Sequence, residues 1–261
     1  MELIKIIKYL DKKFNPKLAS EWDMVGLQQT SNKNIDINRD VENIFVCLDL
    51  TSEALDEAIK HNAQLIITRH PFVFRELQNE RKNPAKNAML KLIKQNDIVI
   101  YSIHTNYDAS INQTLIEELS KVISIKKYKK FGLDKESTKI TIDKKITLND
   151  FIHKMKEVFK SEFVQYSKNI ELKNQIQEFY ITTGSGASTM VENKMQDVVF
   201  LTGEVKWNEW IYANDNNVDL ISVGHYMENY FINDIKNKLE NNFKDKLKIR
   251  AFDITNAYRE I

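Results

Sequence analysis

The chain has 261 residues, 42% of them hydrophobic, enough to bury the core of one large domain or two small lobes and too many for a disordered chain. Its 38 Lys and Arg balance 37 Asp and Glu, so net charge does not indicate nucleic acid or an anionic membrane as a partner. One cysteine, Cys47, cannot make an internal disulfide, and no stretch approaches the roughly 18 uninterrupted apolar residues of a membrane span; a cytoplasmic protein is expected.

The opening "MELIKIIKYLDKKF" has apolar residues at helical spacing interrupted by lysines, so it reads as an amphipathic helix rather than a targeting segment. From Glu42 a strand, helix, strand, helix, strand pattern follows. "ENIFVCLDL" is a strand with Cys47 in its apolar run, and "TSEALDEAIKHN" is a helix capped by Thr51 or Ser52. "QLIIT" is the next strand. Asn83 caps a helix that starts at Pro84 and ends near Gln95, and "DIVIYSI" is the third strand. The crossovers are long enough for parallel pairing, so a mostly parallel sheet with flanking helices is predicted.

The charged stretch "IKKYKKFGLDKES", Ile125 to Ser137, reads as a boundary between lobes. A second α/β pattern follows, in which "TKITID" and "EFVQYS" flank the helix "LNDFIHKMKEVF". "QEFYITTG", "DVVFLTG", "VDLISVG" and "KLKIRAFDI" read as strands, with helices over "EVKWNEWIYAND" and "MENYFINDIKNKLENNF". The predicted fold is therefore α/β in two lobes. Residues 1–125, completed by about 226–261, form the first, and residues 126–225 form the second.

Three of the five histidines stand at or just past the carboxyl ends of predicted strands: His70, His104 and His225. Ligands bind at that edge of open α/β sheets. Asp108 follows His104 by four residues and Glu228 follows His225 by three, and imidazoles with carboxylates suit Zn, Mn, Fe, Co or Ni rather than Ca or Mg. A single strand-end histidine is as readily a hydrogen-bonded structural residue; the three together carry the metal reading. His61 is explained by a helix C-terminus and His153 by a helix surface. Glu204, closing "DVVFLTGE", could accept a proton, support a ligand, or serve as a favourable charge at a helix N-terminus. "TTGSGAS", Thr182 to Ser188, is either a phosphate cradle or a tight turn. Trp22, Trp207 and Trp210 could stack on a base, although core packing is the expectation for each.

Taken in order, "EWDMVGLQ", "LDLTSEALDEAI", "LIITRHPFVF", "YSIHTNYD", "TTGSGAS", "FLTGE" and "VGHYMEN" resemble the NIF-three-like family, whose bacterial members carry the name GTP cyclohydrolase 1 type 2 homolog. The resemblance runs from near Trp22 to near Phe231, in the short form without the middle domain of some members. It implies a two-lobed α/β subunit, a dinuclear divalent-metal site in a cleft between the lobes, and often a toroidal homohexamer. The family's ligands are a His-His-Pro motif, the His and Asp of an HTN-D motif, and a His with a Glu four residues later. His70, His104, Asp108 and His225 match these positions. Arg69 stands where the first His of the pair would be, and Asn229 where the Glu would be, with Glu228 next door.

A guanidinium has no lone pair for a metal, so one metal per chain is expected rather than two. Arg69 would instead pair with Asp108 or orient an anionic substrate, or the exchange is drift without a role. The expected function is a divalent-metal-binding protein with a partly degenerate site. If it is an enzyme, the class is metal-dependent hydrolysis of a nucleotide or other phosphate-bearing small molecule; the alternative is a non-catalytic metal-binding or partner-binding scaffold. The expected partner is the chain itself, as a hexameric ring, an expectation to which the apolar spacing of the long C-terminal helix contributes.

Overall fold

A computed structural model describes residues 1–31, 34–110 and 113–253. Its strands, in chain order, are β1 (Gly26–Leu27), β2 (Asn43–Cys47), β3 (Leu65–Thr68), β4 (Val99–Ser102), β5 (Ile125–Phe131) and β6 (Ser137–Thr147), then β7 (Gln165–Tyr166), β8 (Gln175–Ile181), β9 (Val199–Thr202), β10 (Asp219–Ser222) and β11 (Lys248–Phe252). They make two sheets, one in each of two compact units.

The first unit comprises Met1–Ser110 and the chain from Phe231 onward. Its sheet runs β1-β4-β3-β2-β11, with β4, β3, β2 and β11 parallel and the short β1 antiparallel at the edge. The helices form where the sequence places them. Thr51 Oγ1 accepts from Ala54 N at 3.1 Å to cap the helix Ser52–Lys60, and Asn83 caps the helix Pro84–Gln95 through Lys86 N at 3.2 Å. Both helices lay apolar stripes on one sheet face: Ala54, Leu55 and Ala58, and Met89, Leu90 and Ile93, cluster with Phe45, Cys47, Ile66 and Ile100. Cys47 is a free thiol in this core, and burial raises its pKa, with Asp49 adding to the shift.

Tyr101 is one residue out of step with Ile100 on β4, so it points to the other face, where its hydroxyl bonds Asp11 of the helix Leu3–Lys13. The helix Tyr230–Phe243 joins that N-terminal helix through Tyr9 Oη donating to Lys238 O at 2.9 Å and the Tyr9 and Phe243 rings meeting at 5.4 Å. Phe231, Ile232, Ile235, Leu239 and Phe243 are all buried. The apolar face of this helix is used within the chain, so its periodicity is not an argument for a ring of subunits. Among the described residues no helix is long and apolar enough to cross a membrane.

The second unit spans Ile111–Tyr230, and its sheet runs β5-β6-β8-β9-β10-β7. Its centre, β8-β9-β10, is parallel, and β5, β6 and β7 are antiparallel additions. The division between units falls after Ser110, earlier than residue 125. The helix Gln113–Ser120 packs Leu115 and Leu119 into the second unit's core beside Phe151 and Phe179. The charged stretch read as a boundary is in fact strand β5, paired along β6. Its lysines escaped recognition as a strand because β5 is an edge, where Lys127 and Lys129 stay in water while the backbone pairs on one side.

Phe151 is fully buried and meets Phe179 with centroids 4.7 Å apart. Phe151→Ala should therefore cost about 3–5 kcal/mol of the second unit's stability, read as a lower denaturant midpoint at constant slope. An unchanged midpoint would show that this core is not where the unit's stability lies.

Candidate functional site

In the first unit the parallel register brings the carboxyl ends of β2, β3 and β4 level. Arg69 N donates to Cys47 O at 3.2 Å, His70 N to Leu48 O at 3.1 Å, and Ile103 N to Thr68 O at 3.0 Å. Behind this edge the hydroxyls of Thr68 and Ser102 bond each other at 2.7 Å. Two histidines stand on it, with ring centroids 5.4 Å apart. His70 Nδ1 donates to Asp49 Oδ1 at 2.8 Å, and His104 Nδ1 to Asp23 Oδ1 at 2.9 Å. A carboxylate on Nδ1 fixes the tautomer that puts the neutral ring's lone pair on Nε2, and it is the usual second partner of a metal-ligating histidine.

Asp23 also accepts from Thr105 N at 3.0 Å and from the Thr105 hydroxyl. Burial pushes its carboxyl upward, but the hydrogen bond and charge of His104 and the two Thr105 donors outweigh that and hold it below the usual Asp value. Asp49 and Asp23 were not among the residues singled out by sequence reading. Asp23 lies within the quoted "EWDMVGLQ" and Asp49 at the end of β2, but neither is near its histidine in sequence.

Arg69 and Asp108 form the other half of this edge. The guanidinium is 1% exposed, donates from Nη2 to Asp108 Oδ2 at 2.6 Å, and bonds the carbonyl of His104 through Nη1. It lies over the Tyr107 ring at 5.1 Å and the Phe231 ring at 5.9 Å. These are internal contacts, not a place facing solvent. Asp108, which family resemblance implies as a ligand, is here the counter-ion of a buried cation.

The second unit carries its own donor set at the carboxyl ends of β8, β9 and β10. His225 opens a 3-10 turn, His225–Asn229, that follows β10. Its Nδ1 lies 3.2 Å from Glu204 Oε2 and its Nε2 3.1 Å from Glu228 Oε2. Two donors about 3 Å apart are spaced as neighbours around one ion at about 2.0–2.2 Å from each. Ser185 Oγ donates to Glu204 Oε2 at 2.6 Å. Burial raises Glu204's pKa, but Ser185 and then His225 more than offset it, with Glu228 pushing the other way; the net shift is downward.

The glycines of "TTGSGAS" are explained by close packing. Gly184 has φ +63° and a Cβ there would lie 2.9 Å from Glu228 Oε1. Its carbonyl accepts from Gly203 N at 2.9 Å and Glu204 N at 3.0 Å, and a Cβ on Gly203 would stand 2.7 Å from that oxygen. The turn therefore sets Glu228 and Glu204 rather than serving as an obvious phosphate cradle. His153 is exposed on its helix, bonded to Asn149 O at 2.8 Å, and His61 caps the helix Ser52–Lys60. Of the tryptophans, Trp210 packs against the core, whereas Trp22 is 58% and Trp207 79% exposed, against the expectation of core packing.

The donor chemistry and the fold agree with what the chain is similar to. A protein of Mycoplasmopsis pulmonis named GTP cyclohydrolase 1 type 2 homolog is 28% identical over 261 residues, 97% of this chain and 98% of the relative. The crystal structure of Staphylococcus aureus protein SA1388 superposes with TM-score 0.82 at 22% identity, covering 100% of this chain and 99% of the other. A Bacillus cereus protein related to NIF3 gives TM-score 0.81 at 17% identity over 100% and 99%. The family model described as Duf34/NIF3, NGG1p interacting factor 3, matches residues 1–257, and with nearly the whole length accounted for the chain belongs to that family.

Proposed function

We propose that this protein binds a divalent transition metal with His70, His225 and Glu228 among its ligands and His104 as a further donor. The observation that carries this reading is the histidine chemistry: His70 and His104 each have Nδ1 on a carboxylate, and His225 has Glu228 beside Nε2. The residues fit one ion better than two. Asp108 is committed to Arg69, and neither Arg69 nor Asn229 supplies the donor that the dinuclear pattern needs. Zn, Mn, Fe, Co and Ni all suit such a mixed imidazole and carboxylate set.

The finer reading is a metal-dependent hydrolase of a nucleotide or other phosphate-bearing small molecule. When bound, the ion would supply Lewis acidity. Glu204, held in its ionised form by Ser185 and His225, is the residue best suited to accept a proton. The name carried by the Mycoplasmopsis pulmonis relative puts GTP on the panel of compounds to try. The alternative, a metal-binding or partner-binding scaffold without turnover, is favoured by the withdrawal of Asp108 into an internal ion pair. Incubating the metal-loaded protein with a nucleotide panel separates the two: no turnover above a His70→Ala control leaves the scaffold.

His70→Ala and His225→Ala should each lower bound metal by tenfold or more under dialysis against trace Zn²⁺ or Mn²⁺, whereas His153→Ala should keep the wild-type content. Equal metal in all three variants, by elemental analysis, would sink the ligand assignment. A second outcome concerns stoichiometry. The unmodified chain should hold about one ion or fewer, and Arg69→His with Asn229→Glu should raise that toward two, because the pair removes a positive charge, releases Asp108 and adds an imidazole and a carboxylate. Neither change alone should suffice. Two firmly held ions in the unmodified protein would mean that Arg69 costs the site nothing.

A further inference from the structure

A feature of the first unit beside His104 is not used by metal binding. Trp22 is 58% exposed and Phe74 40% exposed, although large rings ordinarily leave water on folding. The two rings run within 22° of parallel, with centroids 6.1 Å apart. His104 meets both edge-on, 5.8 Å from Trp22 and 6.1 Å from Phe74.

Neither ring stands on loose chain. Asp23, next to Trp22, has its carboxylate fully buried against His104 and Thr105, its amide donates to Ser20 O at 3.0 Å, and Ser20 N donates to Thr105 Oγ1 at 3.0 Å. On the other side the buried Glu80 accepts from both Phe74 N and Arg75 N at 2.8 Å through one oxygen, and Val73 N donates to Gln28 Oε1 at 3.0 Å. Buried carboxylates thus lock the backbone beneath two water-facing aromatic rings. Rings held rigid in advance lose little entropy when something stacks on them.

We infer that Trp22 and Phe74 form a stacking platform for the planar base of a purine nucleotide whose anionic end reaches the His104 and His70 donors. The anionic end of this assignment rests on the metal reading above; the stacking end does not. A base offers a flat face to an aromatic pair, and such stacking is tolerant of the base's identity, so the platform selects nucleotides over sugar phosphates without choosing sharply among purines.

The test is calorimetric titration of Mn²⁺-supplied protein with GMP and with ribose 5-phosphate, which keeps the phosphate and sugar and lacks the base. Wild type should bind GMP at least tenfold more tightly. Trp22→Ala should abolish that margin while leaving ribose 5-phosphate affinity and metal content unchanged, and Trp22→Phe should keep most of it. Equal affinities in wild type, no GMP binding, or a margin that survives Trp22→Ala each overturn the inference. So does a Trp22→Ala variant that changes sedimentation and not the margin, which assigns the rings to a contact between copies of the chain. Elemental analysis of the same samples keeps the two readings apart: a Trp22-dependent margin in protein that holds no metal upholds the platform and removes the metal proposal.

Discussion

The first unit is organised around a permanent cation that it cannot expose. Arg69 ends β3, and its guanidinium is compensated by Asp108, by the carbonyl of His104 and by the faces of Tyr107 and Phe231. Removing a charge from water costs several kcal/mol unless partners replace its hydration, so each of these groups is constrained by the others. They come from three parts of the chain: the end of β3, the helix Thr105–Ala109, and the start of the helix Tyr230–Phe243, where the chain has come back from the second unit. Tyr107 extends the network by donating to Asp234 at 2.8 Å, and Asp234 in turn meets Lys238. The cation thereby ties the discontinuous segment to the first.

That arrangement also positions the donors. Binding the His104 carbonyl fixes the residue from its backbone, while Asp23 fixes it from its ring. His70 follows Arg69 directly and takes its orientation from Asp49. The second unit reaches a comparable result by different means, using bare glycine backbone to let β9, β10 and the Gly184 turn approach closely enough that Glu204 and Glu228 flank His225.

The carboxylates give the histidines a defined pH range. Asp23 and Glu204 both have folded pKa values lowered from their ordinary ones. A carboxylate of that kind contributes stability above its unfolded pKa and loses it as pH falls through the folded value, so these anchors are intact at neutral pH and weaken only in acid. Protonating them would release the histidine orientation along with the stability.

Local pattern determined much of this protein. The β-α-β rhythm, the Thr51 and Asn83 caps, Pro84 at a helix start, and the placement of His70, His104 and His225 after strands are read from neighbouring residues, because helix caps and strand ends are set by short-range hydrogen bonding and periodicity. Family motifs likewise exposed the Arg69 and Asn229 departures. What the pattern could not decide lies at long sequence separation. Asp23 is 81 residues from the histidine it holds and Asp49 is 21 from His70, and only the parallel register brings them together. Lysine-rich β5 has the composition of a linker and becomes a strand because β6 offers it a partner on one side and water on the other. Trp22 has the composition of core and stays in water because the buried carboxylate beside it fixes where its backbone runs. Burial and pairing are properties of neighbours in space, and the tertiary structure chose those neighbours.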